Sequence, residues 1–321
     1  MTPHNDYYLL LLQDFRNATG DFLTPFFEGV SALAISPAII ILCALFYWMI
    51  DKRSGMWFFF GYSAIQFVNG IIKLSCCIYR PWIYCPDLKP AGDAIKTALG
   101  YSFPSGHSSS AAAIYGTPMF GLWRRYRWAS ILLGCMILLT MFSRNYLGVH
   151  TLQDVLVGGS VSLILVVLTQ KILNWVENGS NRDIIILSVT MVAVIASMIY
   201  FICKPYPMDY VDGVLLVDPV KMQDTAFMGL GFMSGFVIGW FIDRRFVQFD
   251  NSGALFKKIL FGILGIAVFG VIYLGLHKVI AGLPNIWRHF IEMTFIMMFI
   301  IGLWPIVFKH FVNVAEQEKK E

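Results

Sequence analysis

Three polar clusters lie at the ends of apolar segments in this chain of 321 residues, and each contains residue types that bind or transfer phosphoryl groups. The first cluster places Lys73 seven residues before Arg80, which Pro81 follows directly. Seven residues make about two turns of an α-helix, so we expect both cations on one helical face, with Pro81 ending the helix. Such a pair would bind an anion, although two cations that reach toward a membrane surface would show the same spacing.

The second cluster, Pro104-Ser105-Gly106-His107, opens an apolar run that is rich in small residues. Ser105 is a favourable N-cap, because its hydroxyl can accept a hydrogen bond from the first turn of a helix. The backbone N–H groups of that turn form a phosphate site, and Gly106 lets an anion approach the backbone closely. His107 would then lie beside the bound anion. Without its neighbours, the same cluster would indicate only a capped helix with an incidental histidine.

The third cluster contains Arg144, His150 and Asp154, at the turn between two apolar runs. His150 and Asp154 are four residues apart, which on a helix places them on one face within reach of a hydrogen bond. A carboxylate that binds one ring N–H of a histidine fixes the tautomer and leaves the other nitrogen free to act as a nucleophile. Arg144 offers a planar guanidinium to phosphate oxygens. Taken alone, the cluster could also be a solvated loop.

The three clusters together contain three cations, two histidines, one orienting carboxylate and one helix N-terminus. These groups suffice for phosphoryl transfer without a metal ion, because they can bind the phosphate, attack phosphorus and donate a proton. The clusters therefore predict one phosphoryl-transfer site rather than three unrelated polar loops.

In order and residue by residue, the clusters resemble the signature of the type 2 phosphatidic acid phosphatase superfamily, Lys-x6-Arg-Pro, Pro-Ser-Gly-His and Ser-Arg-x5-His-x3-Asp. The resemblance covers about residues 55–173, roughly a third of the chain. The third cluster looks most like bacterial lipid-phosphatase-like proteins. The resemblance implies an integral membrane enzyme that hydrolyses a phosphate monoester or diphosphate of a lipid.

On this chain the resemblance implies that His150 attacks phosphorus to form a phospho-histidine, while Asp154 orients its ring. His107 would protonate the leaving alkoxide and then activate water. The resemblance implies no metal and no cofactor. It assigns the phosphate oxygens to Lys73, Arg80, Ser105, Gly106 and Arg144.

The segments that carry the clusters are strongly apolar. Hydrophobic residues make up 57% of the chain and charged residues 14%, with a mean hydropathy of +0.66, which is too apolar for a water-soluble globule. Since a membrane-spanning helix needs about 20 apolar residues, we predict an all-α, polytopic transmembrane helix bundle of about nine spans, with a phosphatase core of spans 1–6. The apolar runs are residues 31–50, 56–79, 107–123, 128–143, 152–173, 184–203, 225–242, 259–276 and 289–308.

The basic residues indicate the orientation of the spans. If the first span leaves the N-terminus outside, 14 of the 24 Lys and Arg residues lie on the cytoplasmic side, including Arg124, Arg125 and Arg127 in one short loop. This asymmetry follows the positive-inside rule. We therefore predict a multi-pass protein of the plasma membrane with its active site on the outer side.

Three segments are predicted along the chain. Residues 1–30 form an N-terminal interfacial segment, in which the run from Tyr7 to Leu12 is a short amphipathic helix on the membrane surface. Residues 31–204 form the membrane phosphatase core. Residues 205–321 add C-terminal transmembrane helices and a cytoplasmic tail.

Two other functions fit parts of the pattern. A glucose-6-phosphatase-like hydrolase of soluble phosphates would also have about nine spans, but that branch does not keep a carboxylate at the position of Asp154. A non-catalytic anion carrier would use the phosphate-binding groups and the glycines of the late spans, yet it would need no pair of His150 and Asp154. The predicted partners are a lipid phosphate and the bilayer, and the mild net charge of +4 does not suggest nucleic acid.

Overall fold

A computed structural model describes residues 7–98, 100–251 and 254–309, and within them the chain is almost entirely helical, as predicted. Two short strands, β1 (Tyr210–Val211) and β2 (Val214–Leu215), form an antiparallel hairpin. The helices are α1 (Tyr7–Ala18), α2 (Thr24–Leu33), α3 (Pro37–Met49), α4 (Lys52–Cys76), α5 (Pro81–Tyr84), α6 (Gly106–Leu122), α7 (Arg127–Tyr146), α8 (Leu152–Glu177), α9 (Arg182–Cys203), α10 (Pro219–Ile242), α11 (Leu255–Val279) and α12 (Asn285–Met298).

Each of the nine apolar runs coincides with a helix, but not every such helix is long and apolar enough to cross a membrane. Within the described residues, six helical segments are long and apolar enough to cross a membrane. The number is seven if α2 and α3, which meet at an angle of 40°, form one bent span. α6 is short, with 17 residues, and α4 carries polar side chains such as Gln66 and Asn69 along its length. The chain is a multi-pass membrane protein, and the predicted number of nine spans is not confirmed.

The chain forms two compact units, each assembled from non-consecutive ranges. The first unit contains the described residues up to Ser36 together with Val68–Val167 and Cys203–Ala226. All eight residues of the predicted site belong to it. The predicted division of the chain at residues 30 and 204 concerns sequence segments and stays a prediction.

In the first unit, small side chains let α6 and α7 pack closely. Ala111 and Ala112 of α6 are fully buried, in one cluster with Ile137 and Met141 of α7. This packing holds the start of α6 and the end of α7, where the second and third polar clusters begin. The run of small residues after His107 therefore serves helix packing.

The second unit contains Pro37–Phe67, Leu168–Ile202 and the described residues from Phe227 onward. Aromatic side chains fill its interior, and the indole of Trp48 donates to the carbonyl of Ile300 at 2.9 Å. A Cβ atom added at Gly235 would collide with the carbonyl of Thr294, so α10 and α12 approach each other through glycine. This glycine serves close packing of two helices.

The N-terminal region is helical, as predicted, but its helix is longer than the expected run. α1 extends from Tyr7 to Ala18, and two of its side chains, Leu9 and Arg16, are buried. Its predicted location on the membrane surface stays a prediction. The predicted cytoplasmic tail lies beyond residue 309, outside the described residues.

Candidate active site

Lys73 lies in the last turn of α4 and contacts the loop of the second cluster. Its Nζ atom donates to the carbonyl oxygens of Tyr101 at 3.1 Å and Pro104 at 2.7 Å. Within the described part of the chain, Lys73 forms no ion pair with a carboxylate. The ammonium is therefore held in place by neutral oxygens.

Arg80 does not share a helical face with Lys73, so that expectation was wrong. α4 ends at Cys76, and Cys77 adopts a left-handed conformation with φ of 50° that turns the chain out of the helix. Arg80 is extended and buried, and its Nε donates to the carbonyl of Gly100 at 3.0 Å. The fold nevertheless brings the two cations close enough to influence each other electrostatically.

Ser105 is the N-cap of α6, as predicted. Its hydroxyl accepts a hydrogen bond from the backbone N–H of Ser108 at 3.3 Å. A Cβ atom added at Gly106 would meet nothing within 4 Å, so the space beside this backbone is open. His107 follows in the first turn and is buried, within electrostatic range of His150 and Arg144.

His150 and Asp154 form the predicted pair, although only Asp154 is on a helix. His150 lies in the turn before α8, and its Nδ1 is 3.3 Å from Oδ2 of Asp154. The same carboxylate oxygen accepts from the hydroxyl of Ser102 at 2.5 Å and from the backbone N–H of Thr151 at 2.8 Å. These bonds hold the carboxylate in position to accept a hydrogen bond from the Nδ1–H of His150.

Arg80 decides the tautomer of His150. Its Nη1 lies 2.7 Å from Nε2 of His150 and also donates to the carbonyl of Val149 at 2.9 Å. Burial lowers the pKa of Arg80 to about 10, so the guanidinium stays protonated at neutral pH and can only donate. Nε2 of His150 must therefore be the acceptor, with the ring proton on Nδ1 toward Asp154.

His150 is neutral in this arrangement. Burial, and after it the charges of Arg80, Arg144 and Lys73, lowers the pKa of His150 well below its usual value. A neutral imidazole with a lone pair on Nε2 is a nucleophile, whereas an imidazolium is not.

Arg144 lies in the last turn of α7 and is almost fully buried. Its Nη1 donates to the hydroxyl of Ser31 at 2.5 Å. Among the residues that the structure describes, its Nε and Nη2 have no hydrogen-bond partner and no carboxylate pairs with it. A buried guanidinium with open donors is suited to bind an oxyanion.

Sequence reasoning gave no role to several residues that hold the site together. Ser102 donates to the carboxylate of Asp154, and Asn145 donates to the carbonyl of His150 at 2.8 Å. Gly158 lies against the backbone of Ser105, where a Cβ would collide with the carbonyl oxygen. Asn145 directly follows Arg144, and Ser102 lies two residues before Pro104; this closeness in sequence is the only signal that could have found them. Ser31 had no signal, because it lies 113 residues from Arg144.

The structure shows no alternative metal centre in the described residues, since no three His, Cys, Asp or Glu side chains are placed to hold an ion together. A neutral histidine, a carboxylate paired with it and buried cations lie together in this part of the fold. In a multi-pass helical protein, these groups define a membrane phosphatase.

Comparison with known families identifies which kind. The model described as PAP2 superfamily matches residues 54–177, and the model described as PAP2 superfamily phosphatase, transmembrane extension, matches residues 227–317. Together they match more than half of the chain. The chain belongs to the PAP2 superfamily and is a hydrolase of phosphoric esters.

Relatives of the chain include two phosphatases. It is 29% identical over 157 residues to phosphatidylglycerophosphatase B of Bacillus subtilis (strain 168), and the aligned region covers 45% of this chain and 72% of that protein. It is 29% identical over 152 residues to sphingosine-1-phosphate phosphatase 2 of Homo sapiens, covering 46% of this chain but only 35% of that protein. The chain also matches the crystal structure of a transmembrane PAP2 type phosphatidylglycerolphosphate phosphatase from Bacillus subtilis. The match covers 54% of this chain and 95% of the solved chain, with 24% sequence identity and a TM-score of 0.41.

Proposed function

We propose that the chain hydrolyses a phosphate monoester or diphosphate of a lipid through a phospho-histidine on His150, without a metal ion. The observation that carries the proposal is the pairing of Nδ1 of His150 with Asp154, which leaves Nε2 as the nitrogen with the lone pair. Arg80 occupies that lone pair with a hydrogen bond, so the guanidinium must turn to the substrate phosphate before Nε2 can attack. Both relatives are named for phosphorylated lipids, phosphatidylglycerophosphate and sphingosine 1-phosphate, which favours a lipid over a soluble phosphate.

In the first step, Nε2 of His150 attacks phosphorus, and the bond from phosphorus to the lipid oxygen breaks. His107, which must be protonated in this step, as the negative charge of the bound phosphate favours, donates a proton to that oxygen and is left neutral, and the oxygen leaves as the lipid alcohol. Asp154 stabilises the positive charge that develops on the His150 ring. In the second step, neutral His107 takes a proton from water, and the resulting hydroxide displaces His150 to release inorganic phosphate.

The cations stabilise the charge on the phosphate in both steps. Lys73, Arg80 and Arg144 converge electrostatically on His107 and His150, so they can meet the charge of the pentacoordinate state from several sides. The backbone N–H of Gly106 and the capping hydroxyl of Ser105 add donors at the start of α6. The proposal therefore needs no metal to neutralise the substrate.

Trapping the phospho-enzyme tests this mechanism. The His107→Ala protein, in detergent, is mixed with a phosphate ester whose leaving group needs no proton, and its intact mass is measured. We expect the mass of one added phosphoryl group, because attack by His150 proceeds while hydrolysis is slow. The His107→Ala/His150→Ala protein should gain none. An added phosphoryl group on the His107→Ala/His150→Ala protein would contradict the role of His150.

Two alternatives are distinguished by a substrate panel of lipid phosphates, lipid diphosphates and sugar phosphates. A glucose-6-phosphatase-like activity would release phosphate fastest from the sugar phosphates. An anion carrier would release none from any substrate. The His150–Asp154 pair favours hydrolysis, since binding an anion requires neither residue.

We further propose that the site faces the outer side of the plasma membrane, where a lipid phosphate could reach it at headgroup depth. The support is the sequence alone, chiefly Arg124, Arg125 and Arg127 in a short loop on the other side. Single cysteines at the exposed positions Lys89 and Arg125, in a protein without its natural cysteines, are labelled with a membrane-impermeant thiol reagent on intact cells. Labelling at Lys89 alone is expected, and labelling at Arg125 alone would reverse the orientation.

A further inference from the structure

The hydroxyl of Ser31 divides the donors of Arg144 into two groups. Ser31 is buried in α2, and its Oγ accepts a hydrogen bond from Nη1 of Arg144 at 2.5 Å. Nε and Nη2 of the same guanidinium are also buried but contact no acceptor in the described residues. One of the three guanidinium nitrogens is thus occupied by the protein, and the other two are open.

The open pair has the geometry of a phosphate fork. The N–H groups of Nε and Nη2 lie on the same side edge of the guanidinium and point in parallel, a spacing that matches two oxygens of one phosphate. Because Ser31 holds Nη1, rotation of the guanidinium about its stem would break that bond. The serine therefore fixes the direction in which the open edge points.

Ser31 can act in this way because α2 is fixed against α7. The ring of Phe27 packs on Tyr146, with centroids 4.3 Å apart, and lies edge-on to Phe142 at 5.5 Å. Glu28 accepts a hydrogen bond from the backbone N–H of Asp93 at 2.5 Å. Both contacts lie within one turn of Ser31.

α1 reinforces the same region. Arg16 is buried, and its guanidinium donates to the carbonyl of Tyr146 and, at 2.7 Å, to the carbonyl of Lys89. Tyr146 is two residues after Arg144, so α1 and α2 both hold the end of α7.

We infer that Ser31 is a positioning residue, which orients the Nε–Nη2 edge of Arg144 toward the phosphate of the substrate. The inference rests on the proposed function, because it takes Arg144 as a phosphate ligand. Ser31 precedes residues 54–177, which the phosphatase family model matches, so the N-terminal helices supply a part of the site that the model does not include.

The test compares Ser31→Ala with Ser31→Thr, and combines Ser31→Ala with Arg144→Lys, in the full-length protein in detergent. Ser31→Ala should lower kcat/KM about tenfold, the size of effect expected for one hydrogen bond to a charged group, and should weaken vanadate inhibition similarly. Ser31→Thr should restore both values. In the Arg144→Lys protein, Ser31→Ala should cause no further loss, because a lysine has no fork to orient.

Ser234→Ala is the matched control. Ser234 is equally buried, and its hydroxyl donates to the carbonyl of Leu230 at 2.8 Å, within the second unit. It should lose a similar amount of thermal stability without the change in vanadate inhibition. If Ser31→Ala lowers kcat/KM by the same factor with Arg144 or Lys at position 144, Ser31 does not act through Arg144 and the inference is wrong.

The role of Arg144 in the proposed function and the role of Ser31 can fail independently, and the variants tell the two failures apart. If wild-type protein is active but Arg144→Ala is unchanged, then Arg144 is not a phosphate ligand, and the inference falls with that assignment. If Arg144→Ala is impaired and Ser31→Ala is not, only the role of Ser31 is overturned.

Discussion

The cations of the candidate site, in the first unit, and two cations of the second unit differ in the groups that they contact. In the second unit, Lys52 lies 2.6 Å from the carboxylate of Asp243, and Arg245 makes two close contacts with Asp183, at 2.5 and 2.6 Å. In the first unit, Lys73 bonds to carbonyl oxygens and Arg144 to a hydroxyl, with no carboxylate on either in the described residues.

This difference has a physical meaning. Burying a charge is costly unless an opposite charge compensates it, and the second unit pairs its buried carboxylates, Asp243 and Asp183, with Lys52 and Arg245. Lys73 and Arg144 of the first unit have no carboxylate at ion-pair distance in the described residues. The proposed function supplies the missing negative charge from the phosphate of the substrate. The cations of the second unit are structural.

The largest expected effect separates the two units through their histidines. His150→Ala should lower kcat by more than about a thousandfold, because no other group in the described residues is placed to form the phospho-enzyme. His277→Gln, which changes a histidine 2.6 Å from Glu292 in the second unit, should keep near wild-type kcat. Phosphate release from a lipid phosphate measures both. Residual activity of more than a few per cent in His150→Ala would contradict the covalent mechanism.

Removing one charged group from each unit should give opposite results. Arg144→Ala should lower kcat/KM by about a hundred- to a thousandfold, since it removes donors to the transition state, while the melting temperature changes little. Asp243→Ala should leave kcat/KM nearly unchanged but lower the free energy of unfolding by about 1–3 kcal/mol, because Lys52 and the backbone N–H of Phe249 lose a buried acceptor. Denaturation followed by tryptophan fluorescence gives the stability. Equal losses of stability in Arg144→Ala and Asp243→Ala would contradict the distinction between a cation that serves the site and an ion pair that serves stability.

A smaller effect should appear in the dependence on pH. Burial and nearby cations lower the pKa of His150, so the nucleophile stays neutral at pH values where an ordinary histidine is protonated. Protonation of His150 should therefore not limit activity at pH 6.5, the ordinary histidine value, and should contribute to the acid limb of kcat/KM at lower pH. Removing a cation raises this pKa, so Lys73→Met should move the acid limb of kcat/KM to higher pH.

Wild-type protein and Lys73→Met are measured with the same substrate, so the titration of the substrate phosphate affects both pH profiles equally. A difference between the two profiles therefore comes from the protein. Lys52→Met, which removes a cation of the second unit, is the control and should leave the acid limb in place. A shift to lower pH in Lys73→Met would show that Lys73 does not act on the charge of His150.

The smallest expected effect is that of a chelator. Because three cations and a helix N-terminus meet the charge of the phosphate, EDTA should leave phosphate release unchanged in the wild-type protein. Vanadate, which mimics the pentacoordinate state, should inhibit, and this confirms that the assay follows the site. Loss of activity in EDTA that magnesium restores would contradict the proposal.

Some local features of the site could be predicted because they depend on neighbouring residues only. The cap of Ser105 on α6 and the hydrogen bond between His150 and Asp154 each need a span of three or four residues. The expected helical face of Lys73 and Arg80 was wrong for the same local reason. Cys77 takes a left-handed conformation, and no periodicity in the flanking residues indicates where a helix stops in this way.

The count of spans shows a similar limit. Apolar runs located every long helix, because apolar composition is a local property. They did not decide how many of those helices can cross a bilayer, since α6 is short and α4 carries polar side chains that the fold places at the site, including Lys73.

The sequence by itself determined the helical class, the membrane environment and the residue types of a phosphoryl-transfer site, because composition and short-range spacing encode all three. Only the tertiary structure decided the tautomer of His150, which depends on the approach of Arg80 across 70 residues of chain. It also decided the orientation of Arg144, which depends on Ser31 in a distant helix. Contacts between residues far apart in the chain follow from packing, and packing leaves no periodic trace in a single sequence.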